Sequence, residues 1–539
     1  MTTCPLELIV DEHDQRSSPA VLRPIADNKP GSADDLLKHY VMRILCAPVY
    51  DIAVETPLQP ASRLSVSLGN SVLLKREDLQ PVHSFKIRGA YAKVASLSQE
   101  ERARGVITAS AGNHAQGLAL AAQKLGIQAR IVMPLTTPEI KVHGVRARGA
   151  EALLHGDAFP QALDYALKLA EEQGYTFVPP YDDPEVIAGQ GTVGMELLRQ
   201  RLGQLDAIFV PVGGGSLIAG VAAYVKYLRP EVRIIGVEPD DSNCLQAALA
   251  AGERVELPQV GVFADGVAVA QIGRFNFELC RQCVDEVITV STDEICSAIK
   301  DIYDDTRSIT EPAGALAVAG LKKYVERERC QNRVFIAINS GANVNFDRLR
   351  HVAERAELGE QREAILAVTL TETPGSFKAF CEALGKRQIT EFNYRYHTSK
   401  EAHIFIGVQT DPQLDSRQAL IESLHAQGYP VLDMTDNELA KLHIRHTVGG
   451  HVANVADEQV FRFEFPQRPG ALSDFLQQLG SRWNISLFHY RNHGSDAGRA
   501  LVGLQVPEQE RHCVPSTLQE LGYLWWDETD NPAYRLFIG

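Results

Sequence analysis

Lys86 stands where the sequence predicts that an extended segment turns into a helix. Pro81 prevents a helix from reaching it from the N-terminal side, and the apolar spacing from Phe85 to Val94 predicts a helix with Ser84 as its capping residue. The positive helix end, cationic neighbours and partial burial would all disfavour a charged amine there. A neutral lysine amine is the nucleophile that a Schiff base requires. Taken alone, the pattern is more often that of a solvated surface lysine.

A second set of residues follows the predicted strand Val106–Ala109 and precedes a helix. Small side chains there let the backbone approach a ligand, and free N–H groups at a helix start suit a substrate carboxylate. The amide of Asn113 could also donate to a phenolate oxygen of a cofactor. An ordinary capped turn is the alternative interpretation. The candidate substrate-binding residues are Ser110, Ala111, Gly112, Asn113 and His114.

A glycine-rich loop follows the predicted strand that ends at Val212. Three successive glycines can expose backbone N–H groups, a serine adds a hydroxyl donor, and the following helix adds positive potential, which together predict a phosphate site. A dinucleotide site is the competing interpretation, and Glu238 at the next strand end would suit a ribose. The third glycine of that fingerprint is missing at Ile218, so a monophosphate fits better. The loop residues are Gly213, Gly214, Gly215, Ser216 and Leu217.

Ser340 follows the predicted strand Val334–Asn339. If the Schiff base at Lys86 is formed with a cofactor that has a pyridine ring, the neutral hydroxyl of Ser340 can hydrogen-bond the ring nitrogen without stabilising its protonated form. An aspartate in the same place would stabilise that protonated form. The resulting weaker electron sink suits β-elimination, in which the leaving group takes the electrons. A simple turn is the alternative, since Ser-Gly is common in turns.

The elements that position these loops are predicted by an alternation of short apolar runs with helical patterns between residues 40 and 350. Such alternation predicts parallel sheets covered by helices, with ligands bound at the carboxyl ends of the strands. The predicted strands are Val72–Lys75, Val106–Ala109, Ala129–Pro134, Ala207–Val212, Arg233–Glu238, Val287–Val290 and Val334–Asn339. The predicted helices are His114–Leu125, Pro138–Arg148, Gln161–Gln173, Gly191–Leu202, Leu217–Leu228, Thr292–Tyr303 and Pro312–Glu326.

In this order, the motifs resemble those of the pyridoxal-phosphate enzymes of the tryptophan synthase β-subunit group, fold type II. Residues 45 to 350 look like a threonine or serine dehydratase catalytic domain, since Glu55–Leu58, Lys75–Asp78 and Thr310–Ala315 also match that pattern. The resemblance implies that Lys86 carries pyridoxal 5'-phosphate. Some relatives, the serine racemases, have a second serine where this chain has Ala111, and its absence favours elimination over racemisation.

The C-terminal part contains a repeated module. The first copy has Pro374-Gly375 and the second Pro469-Gly470, an offset of 469 − 374 = 95. Each copy predicts a ferredoxin-like α+β unit without evident chemistry, and resembles the ACT-like regulatory domains of biosynthetic threonine deaminases. The equivalent Tyr394 and Tyr490 could line effector sites, or be core aromatics.

Length and composition set the remaining expectations. The chain has 539 residues, nine cysteines and a net charge of −15, which disfavours nucleic acid or an anionic membrane as a main partner. Cys280 and Cys283 lack a second ligand pair, so helix cysteines rather than a metal site are predicted. A cytoplasmic protein is expected. The predicted division is an N-terminal arm 1–35, a catalytic domain 36–350, a helical neck 351–363, ACT-like domain 1 at 364–434, a linker 435–456 and ACT-like domain 2 at 457–530.

The family resemblance implies a threonine ammonia-lyase that makes 2-oxobutanoate and ammonia from L-threonine, the first step of isoleucine synthesis. It further implies feedback inhibition by isoleucine, an effect of valine as a second possibility, and a homotetramer. Two alternatives remain open: an L-serine dehydratase or serine racemase, which share the catalytic motifs, and an amino-acid sensor without activity.

Overall fold

The structure is a computed structural model that describes most of the chain beyond the first 32 residues. The described residues are 33–371, 379–380, 383–385, 387, 389–395, 401–411, 414–446, 457–466, 483–491 and 497–538. They form two α/β sheets, followed by two antiparallel sheets in the C-terminal part.

The strands and helices are numbered here in chain order. The strands are β1 (Leu58–Pro60), β2 (Ser71–Arg76), β3 (Val106–Ala109), β4 (Ala129–Met133), β5 (Glu151–Leu154), β6 (Thr176–Phe177), β7 (Ala207–Pro211), β8 (Arg233–Pro239), β9 (Glu286–Val290), β10 (Val334–Asn339), β11 (Glu363–Thr371), β12 (Ile389–Arg395), β13 (Glu401–Gln409), β14 (Val431–Asp433), β15 (Glu458–Pro466), β16 (Asn484–Arg491), β17 (Ala497–Gln505) and β18 (Leu524–Asp527). The helices are α1 (Ala33–Cys46), α2 (Ser62–Leu68), α3 (Lys86–Ala95), α4 (Gln99–Arg104), α5 (Asn113–Leu125), α6 (Glu139–Arg146), α7 (Phe159–Gln173), α8 (Pro184–Gln200), α9 (Ser216–Leu228), α10 (Cys244–Ala251), α11 (Arg274–Cys283), α12 (Thr292–Thr306), α13 (Pro312–Glu328), α14 (Arg348–Gly359), α15 (Arg417–Ala426), α16 (Glu438–Leu442), α17 (Val514–Glu520) and α18 (Pro532–Phe537).

The larger α/β sheet has the strand order β1-β2-β10-β7-β8-β9. Strand β1 is antiparallel to β2, and the other neighbours are parallel. Its central strands are apolar and buried throughout, as strands covered by helices on both faces must be. The parallel strands end at one edge, so the loops after β7 and β10 lie beside each other.

The smaller α/β sheet is entirely parallel, in the order β5-β4-β3-β6. The prediction of two parallel-sheet subdomains is therefore confirmed. All seven predicted strands are present, whereas the short edge strands β1, β5 and β6 were not predicted. Edge strands of two to four residues carry too little apolar pattern to be recognised in a sequence.

The C-terminal sheets have equivalent strand orders, β12-β13-β11-β14 and β16-β17-β15-β18. We call them tail unit 1 (residues 363–433) and tail unit 2 (residues 458–527). This is the order of a ferredoxin-like unit, which confirms the duplicated α+β prediction. The two sheets pack against each other through a shared apolar cluster that includes Ile365, Phe405, Val460 and Leu501. The Pro-Gly sequences of both copies lie outside the described residues.

Two local features bear on the sequence predictions. Ser84 does not cap the helix as expected: α3 begins at Lys86 with Phe85 at the cap position, no side chain caps it, and the Ser84 hydroxyl has no partner within the described part. Cys280 and Cys283 are buried in α11. Among the described residues, no helix is both long and apolar enough to cross a membrane, and no cluster of three or more metal-ligating side chains is found there.

Candidate active site

A cavity opens where the loops after β7 and β10 meet the first turn of α3. It brings together eight residues from four separate segments that were predicted from the sequence to form the site: Lys86, Asn113, Gly213, Gly214, Gly215, Ser216, Leu217 and Ser340. Six further residues line it: Phe85, Pro211, Gly266, Val267, Glu311 and Ala313.

Lys86 is the first residue of α3, and its amine points into the cavity. Its Nζ atom donates a hydrogen bond to the carbonyl oxygen of Pro180 at 2.8 Å. Burial lowers the pKa of Lys86 to about 8, although the carboxylate of Glu311 acts in the opposite direction. The amine is therefore neutral in a larger fraction of molecules at neutral pH than an exposed lysine would be, as a nucleophile requires.

The glycine loop has the shape of an anion cradle. Helix α9 begins at Ser216, so its first N–H groups have no partners within the helix and point towards the loop. Gly215 has a φ of +95°, which favours glycine. A Cβ atom on Gly214 would lie 2.1 Å from the ring of Tyr181. The side-chain amide of Asn276 donates to the Gly214 carbonyl at 2.6 Å and fixes the loop.

The loop after β3 contributes differently from residue to residue. Asn113 lines the cavity, whereas the lining does not include Ser110, Ala111, Gly112 or His114. A Cβ atom on Gly112 would meet nothing within 4 Å, so there is open space in front of the loop. The His114 ring lies 3.1 Å from the Val178 carbonyl oxygen. Burial, followed by the charge of Lys86, lowers the pKa of His114 to about 3, so it is neutral.

Glu311 belongs to the segment Thr310–Ala315, and no role was predicted for it from the sequence. Its carboxylate lies in the cavity and accepts a hydrogen bond from the Asn113 side-chain nitrogen at 2.6 Å. Ser340, the other residue after a strand end, is buried, and its hydroxyl lies 3.4 Å from the Ala313 carbonyl oxygen. The signal in the sequence was the segment Thr310–Ala315, which matches the dehydratase pattern but follows no predicted strand.

A buried network of charged side chains lies behind the first turn of α3. The Arg88 guanidinium contacts both oxygens of Glu77, each at 2.8 Å, and both oxygens of Glu196, at 2.6 and 3.0 Å. Lys75 donates to Glu196 at 2.5 Å and to the Thr56 carbonyl at 2.7 Å. None of the four charged side chains is exposed. The network thus joins the segments Glu55–Leu58 and Lys75–Asp78 to Arg88, which lies two residues after Lys86 in α3.

Tyr394 and Tyr490 lie in equivalent strands of the two tail units. In the backbone register, Tyr394 pairs with Ile404 and Tyr490 with Ala500. Their side chains lie outside what the structure describes, so their proposed role in effector binding stays a prediction.

Comparisons with known families match nearly the whole chain. A family described as pyridoxal-phosphate dependent enzyme matches residues 49–341. The C-terminal regulatory domain of threonine dehydratase matches twice, over residues 354–444 and 449–538. Both α/β sheets therefore fall in the first match, and each tail unit falls in one copy of the second.

Individual relatives agree with these matches. The biosynthetic L-threonine dehydratase of Burkholderia multivorans is 55% identical, covering 93% of this chain and 99% of the relative. That of Escherichia coli is 52% identical, covering 95% and 100%. Among solved structures, the processed form of threonine deaminase isoform 2 from Solanum lycopersicum has a TM-score of 0.59 and 48% identity, covering 63% of this chain and 99% of that one. The chain belongs to the pyridoxal-phosphate dependent enzymes, and within them to the threonine dehydratase family with a duplicated C-terminal regulatory domain.

Proposed function

We propose that this protein is a threonine ammonia-lyase that converts L-threonine to 2-oxobutanoate and ammonia. One observation supports the proposal above all: a lysine with a lowered pKa, a glycine loop suited to an anion and a buried serine hydroxyl line the same cavity. The cavity fits pyridoxal phosphate, because the cradle at Gly213–Leu217 suits its phosphate and Lys86 suits its aldehyde. Ser340 would face the ring nitrogen.

Each group of residues in the cavity has its own role in the proposed reaction. Bound pyridoxal phosphate supplies the electron sink that acidifies the substrate Cα–H. Lys86 would hold the cofactor through its amine, and the same amine is the group placed to take the Cα proton as general base. The loop Ser110–His114 would orient the substrate carboxylate, and Gly213–Leu217 would hold the phosphate of the cofactor. Asn113 and Ser340, which line the same cavity, would hold the ring by hydrogen bonds.

Elimination is favoured over racemisation at this site. Ala111 cannot supply a proton from a second face, and the Ser340 hydroxyl does not stabilise a protonated ring nitrogen. The test is to measure 2-oxobutanoate from L-threonine, pyruvate from L-serine, and D-serine, with purified protein. Dominant 2-oxobutanoate would support the proposal. Dominant pyruvate would indicate a serine dehydratase, D-serine a racemase, and the absence of turnover a sensor.

The Gly214→Ala variant tests the cradle. Its Cβ would lie 2.1 Å from the Tyr181 ring, so the loop or the ring must move. We expect the Kd for pyridoxal phosphate to rise about 5- to 150-fold, since overpacking costs about 1–3 kcal/mol. Equilibrium titration of the cofactor-free protein measures this. The matched control is Gly203→Ala, whose nearest neighbour is 4.0 Å away; equal effects in both variants would contradict the assignment of the loop.

We further propose that the tail units serve feedback control by isoleucine, with valine as a second effector. Tyr394 and Tyr490 are the candidate effector contacts. The domain boundaries given above, a homotetrameric assembly and a cytoplasmic location belong to the same proposal. What supports the regulatory part is the duplicated threonine dehydratase regulatory domain together with its contacts to the catalytic part.

Helix α14 carries charged contacts at both ends. At its first residue, Arg348 pairs with Asp265 at 3.2 Å, directly before the cavity residues Gly266 and Val267. Further along, Arg355 pairs with Asp293 of α12. It also pairs with Glu438, which follows tail unit 1, at 2.6 Å. A shift of tail unit 1 would therefore reach the cavity through one rigid helix.

The Glu438→Gln variant tests this connection. Glu438 keeps 45% of its side chain exposed. Although partial loss of solvent opposes its charge, Arg355 and Lys441 lower the pKa of Glu438 to about 2, so the charged pair is intact at neutral pH. We expect the isoleucine concentration for half-inhibition to change by about 2- to 30-fold, because residues between coupled sites modulate coupling by roughly 0.5–2 kcal/mol. Turnover without isoleucine should stay near wild type. Glu422→Gln on the exposed face of α15 is the control; identical inhibition curves in all three proteins would contradict the route.

A further inference from the structure

Glu311 is a buried carboxylate whose surroundings are tightly defined. It lies directly before α13, and 4% of the residue is exposed. Its Oε1 atom accepts the 2.6 Å hydrogen bond from the Asn113 side-chain nitrogen. A Cβ atom on Gly341 would lie 2.4 Å from the same oxygen. The carboxylate is therefore held against the Ser340–Gly341 turn on one side and against Asn113 on the other.

The hydrogen-bond pattern fixes the orientation of the Asn113 amide. The side-chain nitrogen of Asn343 donates to the Val82 carbonyl at 2.8 Å and to the Asn113 side-chain oxygen at 2.7 Å. These two bonds use both hydrogens of the Asn343 amide. Asn113 must therefore turn its oxygen to Asn343 and its nitrogen to Glu311. The second N–H of Asn113 then remains available for the cavity.

Glu311 also interacts electrostatically with Lys86. Burial raises the pKa of Glu311 to about 7, and the Asp265 carboxylate assists it. The hydrogen bond from Asn113, the charge of Lys141 and the backbone N–H of Asn343 act in the opposite direction. Glu311 in turn opposes the burial effect on Lys86.

Two further groups lie beside Lys86, the His114 ring and the Pro180 carbonyl. His114 lies near Lys86 and is neutral, and the Pro180 carbonyl accepts from the lysine amine. Glu311 and Lys86 line the same cavity, and the negative charge of Glu311 favours the protonated form of the Lys86 amine.

We propose that Glu311 is a positioning residue of the cofactor site: it orients the Asn113 amide towards the cavity and acts as the charge partner of Lys86. This inference rests on the proposed function, because it assumes that pyridoxal phosphate attaches to Lys86. The carboxylate performs both roles from outside the reacting atoms. Its negative form stabilises the protonated amine, and its neutral form accompanies the neutral, nucleophilic amine.

The charge role is tested by the rate of cofactor uptake. Attachment requires the neutral amine, so the uptake rate of cofactor-free protein, followed by absorbance, rises with pH around the pKa of Lys86. Glu311→Gln keeps an oxygen for Asn113 but removes the charge. We expect its midpoint to fall by about one pH unit or more relative to wild type. The cofactor's own titration is common to both proteins and cancels. Coincident midpoints would overturn the charge role.

The orienting role is tested with a complementary pair of variants. Glu311→Asp keeps the charge but is too short to reach Asn113, so its uptake midpoint should stay near wild type. The absorption maximum of its bound cofactor should move in the same direction as in Asn113→Ala. A wild-type spectrum in Glu311→Asp, beside a displaced one in Asn113→Ala, would overturn the orienting role.

A separate control keeps this inference distinct from the proposed function. Lys86→Ala should show no absorbance change of attachment at any pH. If it did show that change, the role of Lys86 itself would be wrong. If Lys86→Ala behaves as expected and the Glu311 variants match wild type, the role of Glu311 alone is wrong.

Discussion

Lys86→Ala is expected to lower kcat for L-threonine by about 10³-fold or more, because the amine both attaches the cofactor and moves the Cα proton. The loss should appear in 2-oxobutanoate formation and in the absorbance of the bound cofactor. Lys124→Ala is the control, since this lysine is exposed near the end of α5 and far along the helix from Asn113. Turnover of Lys86→Ala near that of the control would contradict the assignment of the base.

The same variant separates chemistry from folding. Burial lowers the pKa of Lys86 to about 8, so the folded protein binds fewer protons than the unfolded chain between that pH and the ordinary lysine value of about 10.4. The free energy of unfolding of the cofactor-free wild type should therefore rise with pH through this window. Below the window, the buried protonated amine of Lys86 lowers the free energy of unfolding, and Lys86→Ala removes that destabilising effect. At pH 7 its cofactor-free form should melt no lower than wild type; a much lower melting temperature would attribute the lost activity to unfolding.

The sequence predicted the parts of the site that lie at strand ends. A buried strand shows as an apolar run, and the loop after it must face the edge where parallel strands end. Asn113, the glycine loop and Ser340 each follow such a run, and the structure brings all three to Lys86. Local pattern and sheet topology were sufficient there.

The groups that the sequence did not predict act through contacts between distant segments. Glu311 meets Asn113 across 198 residues, and Arg355 meets Glu438 across 83. In the sequence, Glu311, Arg355 and Glu438 each look like ordinary solvated charges, and only the packing of helices decides which side chain each of them meets. The Ser84 cap was mispredicted for a related reason: the turn enters α3 one residue later than the local pattern indicated.

Arg88→Met is expected to lower the free energy of unfolding by about 3–5 kcal/mol, the usual result of removing one partner from a buried ion network. Although burial opposes its charge, Glu77 and Glu196 raise the pKa of Arg88, so it is charged at any working pH. Without it, the two buried carboxylates share Lys75 alone. The shift in the urea midpoint measures the loss. Arg130→Met, at the partly exposed pair with Glu151, should change stability by less than about 1 kcal/mol.

A second substitution decides whether charge balance is the cause. Glu77→Gln in the Arg88→Met background removes one negative charge for the lost positive one, leaving Lys75 with Glu196. The double variant should then be more stable than the sum of the two single losses predicts, as for directly coupled residues. Strict additivity would mean that Arg88 contributes packing rather than charge.

Because Arg88 lies one turn or less from Lys86, kcat should fall along with stability in Arg88→Met and recover in part in the double variant. Recovery of stability without any recovery of kcat would show that the network supports the fold but does not position Lys86.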